Sequence, residues 1–290
     1  MANQKNRQGD ASPSTDLPKD LIEYHRLYSK ADDIPAVSSF ALDPTCYEDN
    51  QDRLRDLFRK FDFYPIPGKI VIWMASMRHS RFTDGVESCI KKQLEVLQDT
   101  LPGRITSNRD GVVKLKDKSK LNPDAPFQYS GDEGHGKRLS LVIEVANAQS
   151  YESLMRKTRH YFAKARGHVK TIVCFDIQYD NKPSQASTVM EPTAFQSKNG
   201  QPVNMEKTLR LPLRDMAPKN MDTSSWPDSS ISAPLYQLSE ILADAIKSER
   251  EQNEPLSSDS EDDEENSGGD EDGESSEEDD SNGDDEYEDE

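Results

Sequence analysis

The spacing of apolar residues changes along the chain, and each change predicts an element. Over 16–30, Leu21, Ile22, Tyr24, Leu27 and Tyr28 recur at helical spacing, with Asp16 or Pro18 placed to start the helix. Over 51–61, Leu54, Leu57, Phe58 and Phe61 repeat the pattern. Pro65, Pro67 and Gly68 break the chain. The run 69–74 (KIVIWM) is short, apolar and β-branched, as a buried strand is. Asp84, with Glu87 three residues later, makes a capping box. It is expected to start a helix over 84–98, striped by Val86, Ile90, Leu94 and Leu97 and ended by Pro102-Gly103.

Three extended segments are predicted next, at 111–116, 123–129 and 139–147, with a polar, glycine-rich connection over 131–137. Ser150 is placed to cap a helix over 151–165, with Leu154, Thr158, Tyr161 and Phe162 expected to face inward. The stretch 169–179 (VKTIVCFDIQY) is the strongest strand signal, and its apolar centre predicts burial on both faces. Beyond it, 207–213 reads as an edge strand limited by Pro212. An amphipathic helix is predicted over 233–248 through Leu235, Leu238, Ile241, Leu242 and Ile246.

Charge separates the end of the chain from its body. The formal net charge is −19, yet 22 of the 55 Asp and Glu fall within 251–290, where there is no Lys or Arg. The remainder holds 33 acids against 36 bases, so the acidic total says nothing against nucleic-acid binding by the body. With few apolar residues, 251–290 is expected to be a disordered acidic tail, and 1–17 a disordered N-terminus. Ser257, Ser258 and Ser260 lie in an acidic context that suits phosphorylation. A polyanionic tail can mimic nucleic acid or dock on basic protein partners such as histones; it can also act only as a solubiliser. Three scattered cysteines (Cys46, Cys89, Cys174) imply no disulfide framework. No stretch approaches the length of a membrane span, and no signal-peptide core is seen at the N-terminus. These features predict an intracellular protein of the nucleus or cytoplasm, with no membrane partner.

Two acids interrupt the hydrophobic pattern. Asp124 follows Pro123 at the start of 123–129, and Glu144 sits inside Leu141-Val142-Ile143-Glu144-Val145-Ala146. Val142 and Ala146 share the face of Glu144. A carboxylate there is costly to bury without a cation, a metal or hydrogen bonds. Taken singly, Asp124 also suits an ordinary turn, and Lys157 a solvated helix position. The bases Arg156, Lys157, Arg159, Lys164, Arg166, His168 and Lys170 crowd around one helix, which fits a phosphate backbone or a plain solvated face. No zinc spacing, phosphate-binding glycine loop or serine-nucleophile motif is present.

In order, Pro123-Asp124, the strand with Glu144, and Lys157-Thr158-Arg159-His160-Tyr161 resemble the PD-(D/E)xK, or restriction-endonuclease-like, superfamily. The nearest likeness is to its branch of putative restriction endonucleases, in which the lysine is relocated to the following helix; Ala146 stands at the superfamily's usual lysine position here. The resemblance spans about 84–179 and implies an α/β fold with an α-β-β-β-α-β core, a mixed sheet flanked by helices. Around it would lie a helical N-terminal flank at 18–66, an α/β domain at 67–250 with a C-terminal helix, and the tail. It implies that Asp124 and Glu144 hold Mg²⁺ or Mn²⁺, that Lys157 assists, and that Gln149 orients water or phosphate. Glu87 is a further candidate ligand. The implied activity is metal-dependent hydrolysis of phosphodiester bonds in DNA or RNA, or a degenerate copy of such an enzyme. The alternative is a non-catalytic protein that binds chromatin or basic partners through its acidic tail.

Overall fold

The strand Arg138–Ala146 sends its side chains alternately into two apolar layers, and the other elements are stacked on its two sides. The computed structural model describes residues 16–28, 35, 37–109, 111–131, 137–146, 150–165, 169–177, 183–187, 192–217 and 221–254. The chain divides into Met1–Glu254 and Pro255–Glu290, and the second unit lies outside the described residues. So do nearly all of the predicted disordered termini.

The first unit runs α1 (Lys19–Tyr28), β1 (Val37–Ala41), α2 (Pro44–Asp49), α3 (Gln51–Leu57), β2 (Phe61–Tyr64), β3 (Lys69–Trp73), α4 (Met77–Leu97) and β4 (Gly103–Ser107). It continues with β5 (Val113–Lys114), β6 (Lys120–Leu121), β7 (Ala125–Gly131), β8 (Arg138–Ala146), α5 (Tyr151–Lys164), β9 (Thr171–Asp176), β10 (Ser184–Ser187) and β11 (Thr193–Gln196). It closes with β12 (Thr208–Pro212), β13 (Ser230–Pro234) and α6 (Leu235–Asn253). The class is α/β, with mixed sheets and helices on both faces.

The larger sheet has strand order β11-β10-β9-β8-β7-β4; β8 and β9 are parallel and its other pairs antiparallel. Leu141, Ile143 and Val145 of β8 join α4 and α6 in one core, where Phe82 stacks on Phe195 and meets Phe175 edge-on. Val142 and Ala146 face α5 with Leu154, Tyr161 and Ile172. A second sheet, β1-β3-β2-β6-β5, covers a separate N-terminal core in which Tyr47 stacks on Phe63. β12 and β13 form a two-stranded sheet beside α4.

Five expectations are corrected. The helix predicted from Asp84 begins at Met77, because Ser76 caps it by accepting the His79 amide. Gly85 is then interior to α4, and Asp84 pairs with Arg109 instead of capping. The earlier strand that pairs with β7 is Gly103–Ser107, not 111–116, of which only Val113–Lys114 is strand, and in the other sheet. Ile105 is its one strongly apolar residue, so period-two patterning misses it; Gly103 lets the strand lie against Tyr129 and Ser130. Phe162 is 44% exposed and Lys157 takes the inward position. The flank 18–66 contributes strands β1 and β2 besides its helices, and α6 runs through Asn253 into the predicted tail.

Gly85 brings α4 against α6: a Cβ there would fall inside the Ile241 side chain. Gly85→Ala should therefore lower stability by about 1–3 kcal/mol through overpacking, despite alanine's better helix propensity. Urea unfolding of Gly85→Ala, Ile241→Ala and the double variant checks this: a double variant that loses less than the sum of the singles identifies the contact, and a stabilised Gly85→Ala contradicts it.

Candidate functional site

Glu144, on β8, is almost wholly buried and faces α5. Ser150 caps α5 through the Ser153 amide, which sets the helix phase. Lys157 and Tyr161, four residues apart, then stand on one helix face. The Tyr161 hydroxyl donates to Glu144 Oε1 at 2.8 Å, and Lys157 Nζ lies 3.1 Å from Glu144 Oε2. Lys157 Nζ is also 3.1 Å from Asp62 Oδ2 and donates to the Asn122 carbonyl. Asp62 in turn accepts from Trp73 Nε1 at 2.8 Å and from the Asn122 amide at 2.7 Å, and the Lys157 ammonium lies 5.2 Å from the Trp73 ring centroid.

Alternation along β2 explains Asp62. Phe61 and Phe63 enter the N-terminal core, so Asp62 and Tyr64 point the other way, towards α5. Asp62 has no exposed surface.

Asp124 immediately precedes β7. The register Ala125↔Ile143, extended by one residue, sets Asp124 opposite Glu144. Its Oδ2 accepts from the Val145 amide at 2.7 Å, continuing the ladder with a side chain. Its Oδ1 pairs with Lys60 and lies 2.6 Å from His79 Nε2, in the first turn of α4. The cluster thus joins three carboxylates, two lysines and a histidine from both sheets and two helices.

Burial tends to raise the pKa of Asp124, but His79 and Lys60 outweigh it and hold the carboxyl well below its usual range. Burial dominates at Glu144 and pushes it up to about 7, against the attraction of Lys157 and with repulsion from Asp124. Burial opposes the Lys157 charge, yet Asp62, Glu144 and Asp124 together raise its pKa. Tyr161 is held neutral, first by burial and then by the adjacent Glu144.

Asp124 borders a cleft of about 400 Å³. Arg55, Arg59, Lys60 and Arg109 line it against the acids Asp84 and Asp124, and Tyr28, Phe58 and Trp73 contribute aromatic surface. Arg109 is held by Asp84 and by buried Glu87, which also pairs with Lys91. Glu87 therefore braces Arg109, which lines the cleft, and is not part of the Asp124 cluster. The basic residues of α5 do not line the cleft: Arg156 pairs with Glu152, and Arg159 and Lys164 are exposed.

Asp124, Glu144 and Lys157, separate in sequence, are brought into one cluster. Gln149, His135, Arg166 and His168 lie outside the described residues. Sequence reasoning missed Asp62, Lys60 and His79. Asp62, in Phe-Asp-Phe-Tyr, carries the same signal as Glu144, a carboxylate inside an apolar strand. Lys60 and His79 carry no such signal, since nothing local marks them as partners of Asp124. Among the described residues no three of His, Cys, Asp and Glu stand together as a ready-made metal site, and no helix is long and apolar enough to cross a membrane. No protein-family model matches the chain, and no curated protein matches it.

In metal-free protein, native Glu144 keeps a proton that the unfolded chain gives up near its ordinary pKa of about 4.3. Its contribution to stability therefore falls as pH rises from there to about 7. Chemical denaturation over that window, in chelator, should show the fall reduced in Glu144→Gln; parallel curves would exclude it. Lys157→Met leaves Asp62 and Glu144 uncompensated and should cost about 3–5 kcal/mol. The double variant Lys157→Met/Glu144→Gln should lose less than the sum of the two single variants.

Proposed function

We propose that this protein is a metal-dependent, nuclease-like phosphodiesterase acting on nucleic acid. The observation that carries the reading is the convergence of Asp124, Glu144 and Lys157 on one buried charged cluster that reaches a basic cleft at Asp124. A buried ion cluster is weak support for stability alone, and perturbed groups beside a cleft are candidates for a functional site. With β5 and β6 set aside in the other sheet, the order α4-β4-β7-β8-α5-β9, with Asp124 just before β7 and Glu144 within β8, supports the resemblance to the PD-(D/E)xK superfamily.

The residues fit a hard divalent cation in two respects. The donors are carboxylate oxygens at opposed positions of adjacent strands, and Mg²⁺ commonly takes one or two carboxylates and keeps several waters. Lys60 and His79 at present neutralise Asp124, so a cation there would exchange with them. Asp124 and Glu144 would hold the metal, which when bound polarises a phosphate oxygen and lowers the pKa of bound water. Lys157 favours the ionised form of Glu144 and, with all three protons directed at Asp62, Glu144 and the Asn122 carbonyl, fixes the carboxylate in place. Asp62 is a positioning residue that acts through Lys157. Arg55 and Arg59, exposed at the cleft, supply charge for phosphate groups.

One observation favours a non-catalytic interaction protein instead. Each oxygen of Asp124 and Glu144 already has a protein donor, as in a cluster whose only task is to hold elements together. Full-length protein incubated with DNA and RNA substrates in Mg²⁺ or Mn²⁺ decides between the two. Hydrolysis should occur and fall to background in Asp124→Asn and in Glu144→Gln. Either ion should raise the unfolding temperature of the native protein but not of Asp124→Asn. Absence of both cleavage and thermal shift across metals and substrates would leave the binding reading.

A further inference from the structure

The cleft beside Asp124 has a chemistry that the reaction alone does not require. We infer that it takes an unpaired nucleic-acid strand, with Tyr28 and Trp73 as stacking surfaces for bases and Arg55 and Arg59 as contacts for the backbone. This rests on the nucleic-acid reading above and names its substrate class.

Access to Asp124 is the first support. Its side chain is only 4% exposed and lies at the edge of a cleft of about 400 Å³. That volume lies near the lower end of small-ligand pockets, about 300–1,000 Å³, and is on the scale of a single nucleotide. A duplex keeps its bases stacked inside and offers none of them to Tyr28 and Trp73 without unpairing. A single strand can enter.

Lining chemistry is the second. Single-strand sites combine a basic track for the backbone with aromatic faces for bases, and both are present. Tyr28, the last residue of α1, is 42% exposed at the cleft. Trp73, at the end of β3, is half-buried, and its ring is fixed by the Nε1 bond to Asp62. Arg59 is exposed and forms no ion pair with a carboxylate among the described residues, so its charge remains for a ligand. Arg55 is exposed and shares its charge with Asp52, itself exposed. A cleft that met only a phosphate backbone would have no use for exposed tyrosine.

Trp73 and Trp226 are the chain's only tryptophans, and Trp226 is buried against Tyr129. Trp226→Phe therefore leaves Trp73 as the sole reporter in the cleft. Its fluorescence is titrated, in chelator so that nothing is cleaved, with oligothymidylate, oligouridylate, a duplex of the same length and free thymidine monophosphate. Anisotropy of a labelled strand with the native protein repeats the comparison without relying on the variant. One or both single strands should bind at least tenfold tighter than the duplex and the mononucleotide. Tyr28→Ala should weaken single-strand binding about 5- to 150-fold, the range for one stacked base. Arg59→Gln should lower the slope of log affinity against log salt by about 0.7. Duplex binding as tight as that of either strand, or single-strand binding indifferent to Tyr28→Ala, overturns the inference. A strand that binds as expected but is never cut sinks the hydrolysis reading and leaves this one standing; cleavage confined to duplex does the reverse.

Discussion

The ammonium of Lys157 is the interaction on which the rest of the site depends. It is the shared counter-charge of Asp62 on one sheet and Glu144 on the other, and it also reaches the loop that carries Asp124. Two carboxylates facing each other in an apolar interior repel and lose hydration together, and a single cation between them reverses both effects. Because that cation rides on α5, the helix, the N-terminal sheet and the central sheet are pinned to one another at this point. Asp124 is compensated separately, by Lys60 and His79, so the cluster has two halves with different surroundings. One half is sealed, and the other meets a cleft.

This division accounts for the opposed behaviour of the two candidate ligands. Asp124 has two basic partners and a backbone donor, and its acidity rises; Glu144 is sealed behind β8 and α5, and its acidity falls. A site in which neighbouring carboxylates differ in this way holds unequal proton affinities a few ångströms apart, the condition under which acid–base and metal chemistry operate near neutral pH. The cleft wall follows the same logic at longer range. Buried Glu87 and half-exposed Asp84 hold Arg109, while Arg59 is left to solvent, so the wall presents basic charge to a ligand.

The N-terminal flank expected to be helical supplies part of the site itself. Lys60 and Asp62 come from it, around β2, and Trp73 from the predicted strand at β3; all lie ahead of the stretch that carries the superfamily resemblance. Their contribution was hidden because β2 is four residues long and follows directly on the apolar spacing of α3. Phe61 reads as the end of a helical stripe when it is in fact the first residue of a strand. The start of α4 was obscured in a related way. An Asp84/Glu87 box imitates a helix start, whereas both acids hold Arg109, and Gly85 inside the helix allows the close approach to α6.

What the sequence determined by itself is the set of periodicities. Strands β8 and β9, helix α5 with its serine cap, and helix α6 are all legible, because a local repeat of two or 3.6 residues reports which side of an element meets the core. The same patterning exposed Glu144 as a burial problem, and applied to Phe-Asp-Phe-Tyr it would have exposed Asp62. Which charges answer those two acids was decided only by the tertiary structure. Lys60 and His79 come to Asp124 from positions 64 and 45 residues away. Lys157 is shared between strands that belong to different sheets. Compensation of a buried charge depends on distance through space and on the exclusion of water, and neither leaves a mark in the local order of residues.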